Sequence, residues 1–196
     1  VGAKALQSNQ TGKYNTAVGF KSLFSSTSSS SNTAIGYLAL KFCISDDNTA
    51  VGAEALSELI TGARNTALGN RSLANNSAGN SNTATGNTAL NFNSNGSFNS
   101  AFGDKAMYFN ESGNFNSAFG WSSLTSNISG FQNTAVGYYS MQANTDGYDN
   151  IAIGSFSLAN NVSGFKNSAV GYNALTQNLT GDLNTAIGNN SGPSLL

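Results

Sequence analysis

The 196-residue chain has no histidine, one cysteine, one proline and few charges, only 9% of its residues. Each scarcity closes off some chemistry. Without histidine there is no Ser-His-Asp or Cys-His arrangement and no imidazole ligand for a metal. Cys43 has no second thiol with which to close an intrachain disulfide. Eight basic and nine acidic residues leave a formal net charge of −1 with no basic run, which argues against nucleic acid, whose phosphates are met by clustered Lys and Arg. No apolar run approaches the length needed to span a bilayer. Glycine is plentiful, at 22 residues, yet neither GxGxxG nor GxxxxGK[ST] occurs, so a phosphate cradle has no support. The sequence therefore predicts a protein that is not an enzyme and holds no cofactor or metal. With 39% hydrophobic residues, it is also too apolar for a disordered segment.

What is present is a repeat. The phrase Asn-Thr-Ala-Val-Gly recurs with its Asn at Asn15, Asn32, Asn48, Asn65, Asn82, Asn99, Asn116, Asn133, Asn150, Asn167 and Asn184, in nine steps of 17 residues and one of 16. Counted from that Asn, the template is N-T-A-V-G-x-x-[AS]-L-x-x-N-x-[ST]-G-x-x. Position 4 is apolar except at Thr85, position 9 is Leu or Met from Leu23 to Leu175, and position 15 is Gly from Gly62 to Gly181. The copy beginning at Asn32 lacks that glycine and is the short one. Val1-Gly2 enters in mid-repeat, which suggests a piece of something longer.

Seventeen residues are too few for a helical-pair repeat, which needs about 33. Apolar segments at positions 2–5 and 7–10, separated by Gly and Asn corners, predict two short β-strands per coil. The expected fold is an all-β, parallel β-solenoid (a β-roll) of about eleven and a half coils over residues 1–192, with a tail at 193–196. The only proline, Pro193, falls in that tail, as a strand ladder requires.

Stacking makes further predictions. Equivalent positions form columns spaced about 4.8 Å apart, giving a rod on the order of 55 Å long. The eleven position-1 asparagines should form an amide ladder. Glycines at positions 5 and 15 suit corners that need positive φ or close backbone approach. Opposite charges succeed one another at Asp47 and Arg64, Asp149 and Lys166, and Glu54 and Arg71, while Lys4 and Lys21 break the pattern. Apolar neighbours at positions 3 and 4, and again at 8 and 9, put apolar side chains on both faces of a strand. One face fills the coil and the other needs a cover, for which another copy of the chain is the simplest candidate, in a trimer or a laterally packed fibre. The alternative is a kink that turns both residues of a pair inward.

Asn-Thr-Ala-Val-Gly-x-x-Ala-Leu resembles the head repeats of YadA-like trimeric autotransporter adhesins and, more closely, the NTAxGxxAL arrays of bacterial and phage tail-fibre proteins. The resemblance covers essentially the whole chain through Ala17-Val18-Gly19, Ala34-Ile35-Gly36 and their copies. It implies a left-handed parallel β-roll, three chains about one axis, and display outside a cell or virion. The period of 17 is longer than in typical adhesin heads.

Other features compete as sites. Phe20, Tyr37, Trp121, Tyr138 and Tyr172 share column 6 with Tyr139 beside them. Trp121, Tyr138, Tyr139 and Tyr172 are the candidates for contact with a host-surface glycan or protein. Phe98, Phe115, Phe131, Tyr148 and Phe165, across columns 16 and 17, read as a structural ladder. Acidic residues are scattered, without the paired carboxylates of a glycosidase. Asp46-Asp47 reads as a turn, and Asp146 with Asp149 offers too few ligands for calcium. Asn9, Asn110, Asn127, Asn161 and Asn178, at position 12, match N-x-[ST], which could carry glycans in a eukaryotic secreted protein. Cys43, also at position 12, reads as an ordinary corner residue.

The leading expectation is an extracellular structural fibre or adhesin segment. A self-assembling filament is the alternative, since solenoid ends expose strand edges. A third is an ice-binding solenoid, for the hydroxyl column from Thr16 to Thr185, interrupted by Ser100, Ser117, Ser168 and Ile151 and without a second matching Thr column.

Overall fold

In a computed structural model that describes residues 2–192, the chain forms eleven three-residue strands in one parallel sheet: β1 (Thr16–Val18), β2 (Thr33–Ile35), β3 (Thr49–Val51) and so on, in chain order, to β11 (Thr185–Ile187). Each strand pairs with the same positions of the next coil, Ala17 with Ala34 and Ala169 with Ala186. The one 16-residue step is absorbed without loss of register, since Thr33 pairs with Thr49 and Ile35 with Val51. The deletion is taken up in the corner between Ser45 and Asn48, outside the sheet. The architecture is a β-solenoid.

Strand alternation sorts positions 2 to 4. Ala at position 3 faces inward and is fully buried from Ala34 to Ala169, while positions 2 and 4 face outward. Alanine fits because the coil interior is thin. Against it pack position 8, Ala or Ser, and position 9, Leu or Met, which is 0–1% exposed from Leu23 to Leu175.

Here the sequence expectation needs correcting. Positions 7–10 form a run of turns, so each coil has one strand and not two. Every described non-glycine residue at positions 7, 9 and 17 has φ between 47° and 64°, the left-handed region. That geometry breaks the pleat and turns positions 8 and 9 inward together, so the kinked alternative holds for this pair. A left-handed L-residue costs about 1–2 kcal/mol. Full burial of a leucine returns about 1.5–3 kcal/mol, enough to hold position 9 there.

Between strands, backbone hydrogen bonds still run from coil to coil. The Leu23 N–H donates to the Ala39 carbonyl at 3.0 Å, Gly36 to Val18 at 2.7 Å, and Ser31 to Lys13 at 2.9 Å. The corners are therefore stacked as regularly as the sheet, which leaves few backbone groups to solvate. Serine and alanine interchange at position 8 because the hydroxyl finds a local acceptor. Ser72 and Ser123 donate to the Gly69 and Gly120 carbonyls three residues back, at 3.0 and 3.1 Å. The tail from Pro193, and Val1, lie outside the described residues.

Candidate functional site

The interior is closed and its asparagine amides satisfy one another, except at the last rung of position 12, where the buried Asn178 Oδ1 has no partner among the described residues. From Asn15 to Asn184, the position-1 side chains form a continuous chain: each Oδ1 accepts the backbone N–H of the next Asn, at 3.0 Å for Asn65 to Asn82 and for Asn116 to Asn133. The chain begins at Asn15, whose Oδ1 accepts from Asn32 N–H, and passes through Asn32 to Asn48 and on to Asn99, Asn150 and Asn167. From Asn48 to Asn167 each Nδ2 crosses the coil to the position-15 carbonyl of its own repeat, as Asn116 does to Gly130 at 2.8 Å.

A second ladder, not foreseen from the sequence, runs up position 12. Asn93 donates to Asn76, Asn110 to Asn93, Asn127 to Asn110, and so on to Asn178, at 2.6–2.9 Å. These Nδ2 groups also reach the position-15 carbonyl, so Gly130 O accepts from Asn116 and Asn127 together, each at 2.8 Å. Glycine is required there because a Cβ on Gly130 would run into the Asn127 side chain and the Gly147 carbonyl. The signal was visible, in an asparagine at position 12 and a glycine at position 15 recurring together, but it also reads as ordinary turn chemistry. Asn110, Asn127, Asn161 and Asn178 are buried and their amides are engaged. The folded coil therefore has no room for glycans on these four.

Cys43 sits in the same inward column, fully buried beneath Leu59. Its thiol donates to the Ser45 carbonyl at 3.2 Å, and burial pushes its pKa up. A raised pKa and no access are the opposite of what a nucleophilic thiol needs. Of the opposite-charge pairs, Glu54 and Arg71 meet at 3.4 Å on the surface. Arg64 turns its Nε to Ser81 instead, and no ion pair joins Asp149 to Lys166 among the described residues. Among those residues, no group of three His, Cys, Asp or Glu could hold a metal, and no helix is long and apolar enough to cross a membrane.

What remains is the outer surface. The outward face of the sheet carries two parallel columns, hydroxyls at position 2 and apolar side chains at position 4. Val18, Ile35, Leu68, Phe102, Phe119 and Ile153 of the latter are 36–48% exposed, and Phe102 stacks on Phe119 at 4.9 Å. A second, partial apolar column at position 13, including Ile60, Ile128 and Leu179, is also exposed. The repeat template left that position blank.

The four sequence candidates Trp121, Tyr138, Tyr139 and Tyr172 fall in one aromatic cluster. Trp121 stacks on Tyr138 at 5.2 Å and meets Tyr139 edge-on at 4.8 Å. Phe156, missed because it stands in column 7, touches Tyr138, Tyr139 and Tyr172 and joins the last to the rest. Trp121, Tyr138 and Tyr172 keep 39%, 45% and 51% of their surface exposed. Phe20 and Tyr37 form a separate stack near the other end.

No protein-family model, no curated protein and no solved structure matches this chain. The class it belongs to is set by its own coils, a parallel β-solenoid with two internal asparagine ladders.

Proposed function

We propose that the chain is a non-enzymatic structural fibre or adhesin segment, displayed outside a cell or virion, that presents a repetitive rod surface and associates with further copies of itself. The observation that carries this is the exposed apolar column at position 4, which runs from Val18 to Ile187 beside the hydroxyl column. An apolar stripe of that length, interrupted only at Thr85, is unusual on a solitary soluble protein and marks an interaction surface. A second copy is the occupant because the stripe is regular, nearly free of charge and matched in pitch by an identical sheet. A left-handed coil and a homotrimer are what the resemblance to YadA-like heads and NTAxGxxAL arrays would add. Light scattering on purified protein tests the reading. An oligomer that falls to monomer on Phe102→Glu with Phe119→Glu supports it, and a wild-type monomer at all concentrations removes it.

The aromatic cluster around Trp121 supports a second reading, contact with a surface glycan, because partly exposed rings offer faces to the C–H side of a sugar. Loss of glycan-array signal in Trp121→Ala would support it. Filament growth and ice binding stay secondary. For the latter, the column beside the threonines is apolar rather than hydroxylated.

A further inference from the structure

The aromatic ladder of columns 16 and 17 is broken in two. Phe98 and Phe115 stack at 5.0 Å and 3° in column 17, and Phe131, Tyr148 and Phe165 stack at 4.8 Å and 1–4° in column 16. Phe115 and Phe131 stand in successive coils but one column apart, and among the described residues no ring contact joins them. The residues that would have continued each stack are Gln132 above Phe115 and Asn114 below Phe131. At this step lies an open cleft of about 340 Å³, lined by Asn114, Phe115, Ser129, Phe131 and Gln132.

The cleft has an unusual distribution of polarity. Phe115 and Phe131 are 59% and 38% exposed, whereas Tyr148, which lies between two rings, is half-buried. The Asn114 amide is fixed by two bonds, its Oδ1 accepting from Ser97 N–H and its Nδ2 donating to Ser112 O, both at 2.8 Å. The Gln132 amide and the Ser129 hydroxyl are exposed and make no side-chain hydrogen bond among the described residues. None of the five lining residues is charged.

We propose that this cleft is a binding subsite for a neutral pyranose, the C–H face of the sugar lying on the Phe115 and Phe131 rings and its hydroxyls bonding to Gln132 and Ser129. The size is at the lower limit of ligand pockets, about 300–1,000 Å³, and suits one or two sugar units. An uncharged lining gives no compensation for desolvating a phosphate, sulfate or sialic carboxylate, so acidic sugars are disfavoured. Rings on one diagonal and carboxamides on the other match the amphipathic edge of a pyranose, whereas a purely apolar guest would leave the amides unused. The inference gives a ligand class to the adhesive part of the proposed function and rests on that reading for its biological purpose. The cleft itself is formed within one chain.

The test is a glycan array carrying neutral β-linked hexose and N-acetylhexosamine oligosaccharides beside sialylated and sulfated ones, followed by calorimetric titration of the best neutral binder. Circular dichroism and thermal melting confirm the fold of each variant. The expected result is binding to at least one neutral glycan, weakened about three- to tenfold by Gln132→Ala and at least about tenfold by Phe131→Ala, with Phe20→Ala, in the separate stack with Tyr37, unchanged. Because Gln132 is exposed, its variant keeps the wild-type melting temperature. The proposal is overturned by binding to no neutral glycan, by a preference for acidic ones, or by loss in Trp121→Ala while Phe131→Ala still binds. A monomer in light scattering that nevertheless binds through Phe131 would defeat self-association and leave the subsite standing. An oligomer that binds nothing would do the reverse.

Discussion

The Oδ1 of Asn116 accepts two hydrogen bonds from Asn133, one from its backbone N–H at 3.0 Å and one from its Nδ2 at 3.2 Å. Asn116 in turn gives its own Nδ2 to Asn99 Oδ1 and to Gly130 O. One buried amide therefore serves three coils. Asn116→Ala strips the acceptor from the buried Asn133 N–H and leaves the Gly130 carbonyl with Asn127 as its remaining amide donor. The expected loss is about 1–3 kcal/mol in chemical denaturation. Asn116→Asp keeps the acceptor but points a buried carboxylate at the Gly130 carbonyl, and should be at least as harmful at neutral pH. Wild-type stability in both variants would show the ladder to be incidental.

Backbone handedness gives two substitutions of opposite sign. Gly120 has φ 137°, and a Cβ there would sit 2.5 Å from the Gly137 carbonyl oxygen. Gly120→Ala should cost at least about 1–3 kcal/mol. Lys105 is exposed with φ 57° and carries the left-handed penalty without a buried side chain to offset it. Removing that penalty, about 1–2 kcal/mol, outweighs the extra chain entropy of glycine, about 0.5–1 kcal/mol. Lys105→Gly should therefore raise the melting temperature, against the usual effect of adding glycine.

The contrast between these positions shows what the sequence could reveal. Period, register and the inward alanine were legible because each is stated eleven times, and the 16-residue step at Asn32 was legible as a corner deletion. The second strand was misread because Ala-Leu at positions 8 and 9 has the composition of a strand, while the left-handed φ at Leu23 or Leu124 leaves no mark on residue type. Leucine is there for burial, and tertiary packing overrides its backbone preference. The position-12 ladder hid in residues that also suit turns. The cleft at Phe115 and Phe131 was written as a slip of one residue between columns, and its meaning needed coordinates that place Gln132 over one ring.

Cys43 should behave as a core residue with a titratable penalty. Burial raises its pKa above the ordinary 9.0, so folding holds the protonated thiol more tightly than the unfolded chain does. The associated stability is complete below that value and is lost as the pH rises past it toward the folded-state pKa. Cys43→Ser, which retains a donor for Ser45 O and differs from the wild type at this one group, is the reference. The wild type should lose more melting temperature than Cys43→Ser between pH 8 and pH 10.5. A disulfide reagent should label Cys43 only in denaturant, and rapid labelling of native protein would contradict the buried placement.

The position-12 ladder can be separated from mere space-filling, because the chain already places Leu59 and Asn127 in the same column. Leu59 follows Cys43, and the nearby Gly62 carbonyl is served instead by Ser45 Oγ and by Asn48 Nδ2 at 3.1 Å. At Asn127 no such substitute exists. Asn127→Leu would leave the Asn110 Oδ1 without its donor and the Gly130 carbonyl with only Asn116. The Asn144 Nδ2 would keep Gly147 O but lose its second acceptor. The expected loss is about 1–3 kcal/mol despite the added apolar surface, whereas Leu59→Asn should also destabilise, since Cys43 offers it no carboxamide partner. If Asn127→Leu instead matched or exceeded wild-type stability, leucine packing and not amide pairing would be what position 12 requires. The same burial predicts that folded protein from a glycosylating secretory host carries no sugar at Asn110, Asn127 or Asn161 by mass spectrometry. Occupancy there in a protein with native melting behaviour would mean that these corners open.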